Sequence, residues 1–62
     1  MHKRTAHSLA GEVDRCLKLS LSNREFEVLA SIIESNEDQD KAARNLMSSP
    51  AAVTWALIKN HK

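Results

Sequence analysis

Three histidines, one cysteine and eight carboxylates are the groups in this sequence best suited to holding a metal or moving a proton. Their spacing supports neither task. His2, His7 and His61 have no Cys or carboxylate partner at the spacing of a zinc site. No Ser/His/Asp or Cys/His arrangement has local support, and no Gly-rich run could cradle a phosphate. The acids of residues 34–40 lack the ligand spacing and the central Gly of a calcium loop. Cys16 lies on the apolar side of its expected helix and is expected to be plain core. No catalytic residue, metal or cofactor is therefore expected. A 62-residue chain buries only about 60% of the surface its unfolded form exposes, which leaves little depth for an enzyme cleft.

The cations carry more information. Residues 41–62 hold Lys41, Arg44, Lys59 and Lys62 and no acid. Residues 21–40 set Arg24 against Glu25, Glu27, Glu34, Glu37, Asp38 and Asp40. An acid-free final third suits a surface that faces a polyanion, most often nucleic acid, and equally a solvated polar face. Lys3 and Arg4 read as a frayed basic terminus or as an arm for a minor groove.

The elements that must position these groups are helical. One Gly, one Pro and 3% aromatic residues do not supply the turns of an all-β fold. Ser22-Asn23-Arg24-Glu25 is a capping box, with Leu21 and Phe26 as its hydrophobic staple, and opens a helix over about 23–35. Val28, Leu29, Ile32 and Ile33 continue its apolar face. Ser49-Pro50 opens another, over about 50–60, with Ser as N-cap and Pro at the first helical position. Between them, Asp38 or Asn36 caps a short helix to Met47, with Ala42, Ala43, Leu46 and Met47 inward. Upstream, Ser8 caps a helix over about 8–19, with Leu9, Val13, Cys16 and Leu17 on one side. Gly11 weakens that helix by about 1 kcal/mol relative to Ala. The expected architecture is one all-α domain over residues 1–62, a three- to four-helix bundle containing a helix-turn-helix. Leu29, Ile33, Leu46, Val53 and Leu57 form its expected shared core.

The run Leu21-Ser22-Asn23-Arg24-Glu25-Phe26-Glu27-Val28-Leu29 resembles the opening of a LuxR-type (GerE-like) DNA-binding domain. Ala43-Arg44-Asn45-Leu46, Ser49-Pro50, Val53 and Leu57 resemble the same family's later helices, so the likeness spans residues 21–62. It implies that the helix from Pro50 onward enters the DNA major groove. Some positions depart from the pattern. Met47 stands at the family's turn Gly, Ala51 and Ala52 replace polar or basic residues, Ala56 replaces a His, and Asn60 falls where a core Ile or Leu is expected. The helix over 8–19 lies outside the family pattern and could take the place of its dimerisation helix.

The expected function is a small prokaryotic or phage-type transcriptional regulator that binds double-stranded DNA as a homodimer. Lys41, Arg44, Lys59 and Lys62 would hold phosphates, and Ser49, Thr54 and Trp55 would face the groove. The alternative is a protein–protein module or anti-regulator that binds a larger transcription regulator without touching DNA. Trp55 and Ile58 sit on a flank of the last helix. They are either a dimer or partner contact, or are covered by Leu9, Val13 and Leu17 of the first helix; a chain this small favours the covered arrangement. No apolar stretch follows the basic residues 1–4, since Glu12, Asp14 and Arg15 intervene, so neither a signal sequence nor a membrane span is expected. With a lone Cys and no disulfide, a cytoplasmic location is expected.

Overall fold

A computed structural model describes residues 5–60 of the chain. Four helices follow one another: α1 (Ala6–Leu17), α2 (Asn23–Glu34), α3 (Gln39–Met47) and α4 (Pro50–Asn60). No strand occurs among the described residues.

Each helix start has a local cause. The Ser22 hydroxyl accepts from the Glu25 backbone N–H at 3.2 Å, and the Glu25 carboxylate accepts from the Ser22 N–H at 3.1 Å. The capping box is thus present as expected, and satisfies two donors that the first turn of α2 leaves open. Asp38, not Asn36, caps α3 through its carboxylate and the Lys41 N–H. Asn36 instead donates from Nδ2 to the Ile32 carbonyl beyond the end of α2. Ser49 accepts from the Ala52 N–H at the start of α4.

Helix α1 begins and ends about two residues before the expected 8–19. Thr5 is its N-cap, its hydroxyl accepting from the Ser8 N–H, so Ser8 lies inside the helix. Lys18 closes it with φ 55°, the single positive φ of the described residues. Its N–H reaches back to the Arg15 and Asp14 carbonyls, which ends the helix before Leu19. Met47 is helical and Ser48 right-handed, so the link between α3 and α4 needs no left-handed residue.

Helix α1 packs on α2 and α3, and α4 packs on the same two; α1 and α4 meet marginally at most. The buried core is Ala6, Leu9, Ala10, Val13, Leu29, Ala30, Ile33, Ala43, Leu46 and Val53. Four of these are alanines, on α1, α2 and α3. They bring the helix backbones close, and leave Leu29, Ile33, Val13 and Val53 as the largest fully buried side chains. Leu57, expected in this core, is only half-buried, together with Phe26, Ile32 and Met47 around it.

Two expectations about burial are corrected. Cys16 is exposed. The buried face of α1 runs through Ala6, Leu9, Ala10 and Val13 toward half-buried Leu17, and Cys16 falls on the edge away from Ala10. Trp55 and Ile58 are not covered by α1: they are 67% and 60% exposed. Leu9 and Val13 are buried in the core, and α1 packs on α2 and α3 with marginal contact at most to α4, which leaves the flank of α4 open.

Candidate interaction surface

Helix α4 is apolar on both sides. Val53 is fully buried, and Ala56 and Leu57 are half-buried beside it. At 100° per residue, Ala51, Trp55 and Ile58 share the opposite side, and all three are exposed. Their spacing of four and then three residues is that of a helix–helix seam. Thr54 lies next to Ile58 on the same side, and its hydroxyl donates to the Pro50 carbonyl at 3.1 Å. The charged group of α4 among the described residues is Lys59, adjacent to Trp55 around the helix.

An open groove runs beside this face, between α4, the first turns of α2 and the α1–α2 connection. Leu19, Leu21, Val28, Leu57 and Ile58 supply its apolar lining, and Thr54 and Glu25 its polar rim. The groove exists because the chain turns at Lys18 and runs without helix to the capping box. Leu19 and Leu21, two residues apart, are thereby half-buried on the surface side of the core. Leu19 and Val28 are half-buried groove residues that no helix-face pattern marks as surface groups. The alternation Leu19-Ser20-Leu21 outside any helix is the signal that marks the connection as an apolar wall.

The remaining site residues are spread over the surface. Lys41 and Arg44, three residues apart, are exposed on the outer side of α3. Lys59 is exposed near the end of α4, and Ser49 is half-buried and engaged as a cap. Lys62, His2, His61, Lys3 and Arg4 lie outside the described residues. No group of three or more His, Cys, Asp or Glu side chains among the described residues could hold a metal ion. His7 instead pairs its Nε2 with Glu27 at 3.5 Å and stands 6.0 Å from the Phe26 ring, tying the start of α1 to α2. No described helix is long and apolar enough to cross a membrane.

The arrangement has one direct consequence. Thr54 and Trp55, expected to face DNA, share one side of α4 with Ile58, expected at a partner contact. A single surface cannot be packed against a protein and laid in a groove of DNA at once. Compared with protein-family models, with curated proteins and with solved structures, the chain matches none.

Proposed function

We propose that this chain is a protein-binding helical module that works through the outward face of α4. The observation that carries this reading is the exposure of Trp55 and Ile58 as neighbours on one helix face. With ten buried residues among those described, the chain leaves its largest side chain mostly in solvent. Trp is among the residues most enriched at binding hot spots, because it contributes large contact area at low conformational cost. A DNA-reading surface would instead present side chains that bond base edges. Here that face carries Ala51, Trp55 and Ile58, and the one hydroxyl, on Thr54, already donates to its own helix. The function that follows is that of a protein–protein interaction module that acts through this face.

A second reading is a LuxR-like DNA-binding regulator, with α3 and α4 as its helix-turn-helix. It is favoured by Lys41, Arg44 and Lys59, which are exposed and make no ion pair among the described residues. Against it, the described residues carry six Lys and Arg to eight Asp and Glu, so the body has no cationic excess to attract a polyanion.

Photo-crosslinking in the native cell separates the two. A benzophenone amino acid at position 55 should attach to protein, while the same group at Arg15 on α1 should not. Attachment of position 55 to DNA, or equal yields from both positions, would refute the docking face.

A further inference from the structure

We infer that the occupant of the α4 face is a second copy of this chain, paired antiparallel through α4 about a two-fold axis. The inference rests on the docking reading above and names its partner. A two-fold contact requires a patch complementary to its own inverted image. The stripe Ala51, Trp55, Ile58 has that property, with a small residue at one end, a large one at the other and the indole between. Inversion sets Ala51 opposite the partner's Ile58, and brings Trp55 beside the partner's Trp55 near the axis. Large groups thus meet small ones at the ends, and the two indoles can stack offset.

Charge selects both the partner and the orientation. The stripe itself is uncharged. Among the described residues, a strongly acidic foreign helix would find one flanking cation, Lys59, and a carboxylate, Glu25, on the rim of the neighbouring groove. A parallel pair would place Lys59 beside the partner's Lys59. The antiparallel pair sends them to opposite ends of a helix that 11 residues make about 16 Å long.

Area sets the strength. A standard interface takes about 800 Å² from each partner. A Trp buries roughly 150–250 Å² when fully covered, and Ile58 with its neighbours on one short helix adds less than the remainder. The pair is therefore weaker than a standard-size complex, with a dissociation constant between about 1 μM and about 1 mM.

The chain has a single Trp, which makes the test direct. Its emission and the sedimentation-average mass are followed together as the protein is raised from about 1 μM to about 1 mM, a range that spans the expected constant. The expected result is a blue shift of Trp55 emission in step with a rise toward twice the monomer mass. The shift should persist in high salt, because the contact is apolar. Ala51→Glu should abolish both changes while leaving helicity intact, since Ala51 is exposed. In a Cys16→Ser background, Ala51→Cys mixed with Ile58→Cys should oxidise mainly to the heterodimer. Preferred homodimers would overturn the antiparallel pairing. Constant emission and monomer mass throughout the range would overturn self-association. If position 55 still crosslinked to another protein in that case, the docking face would stand and only the identity of its occupant would fall.

Discussion

The ring of Phe26 on α2 faces Gly11 on α1, its Cζ 3.6 Å from where a Cβ on that glycine would stand. That is ordinary van der Waals contact, and Gly11 does not have a positive φ. The glycine is thus not needed for close approach of the two helices. Gly11→Ala is expected to stabilise the domain by about 0.5–1 kcal/mol through helix propensity and added contact. Thermal unfolding should rise by several degrees, as about 4–8 °C per kcal/mol applies to domains of this size.

Asp14 presents the opposite situation. Its Oδ1 is shielded from solvent without a hydrogen-bond partner, and its side chain lies near the C-terminal end of α1 where the helix dipole disfavours an anion. Asp14→Ala removes both penalties and should stabilise by about 0.5–2 kcal/mol. Chemical denaturation should show a higher midpoint with an unchanged slope.

Ser22→Ala opens the capping box and should cost about 0.5–2 kcal/mol. Amide exchange is expected to accelerate at Glu25 in the first turn of α2, where loss of the hydroxyl contact leaves its N–H to water.

Core and surface positions should separate cleanly. Leu29→Ala, at a fully buried residue, should cost about 2–5 kcal/mol and unfold most of the population at ambient temperature. Cys16→Ser, at an exposed one, should change stability by less than about 0.5 kcal/mol. Circular dichroism of the two variants checks both statements, and a cooperative loss in Cys16→Ser would return that residue to the core.

The pattern of what was legible follows from range. The starts of α2, α3 and α4 are written in contacts three residues apart, such as Ser22 with Glu25 and Asp38 with Lys41, and these read directly from sequence. The start of α1 was displaced because Thr5 and Ser8 are both acceptable caps, and the helix begins at the earlier one. On α3 the inward Ala43 and Leu46 read directly from sequence and are buried. On α1 and α2 the large apolar residues dominate the pattern, while Ala6, Ala10 and Ala30, which set where the backbones approach, carry a weaker signal, and Cys16 reads as core for that reason. The exposure of Trp55 and Ile58 was decided by where α1 packs. That is a tertiary outcome, and nothing within the sequence of α4 specifies it. The same holds for the groove, whose walls come from three separate segments.

The central claim, that α4 presents its outward face to protein, is tested most directly by its competitor. Fluorescence anisotropy of labelled random duplex DNA is measured against the pure protein from about 50 mM salt upward, where phosphate contacts are strongest at the low end. The docking account predicts flat anisotropy at every salt concentration, with or without Trp55→Ala. Binding that weakens with a log–log slope on the order of −3 to −4, reduced by about one in Lys59→Ala, would contradict it and assign α4 to DNA.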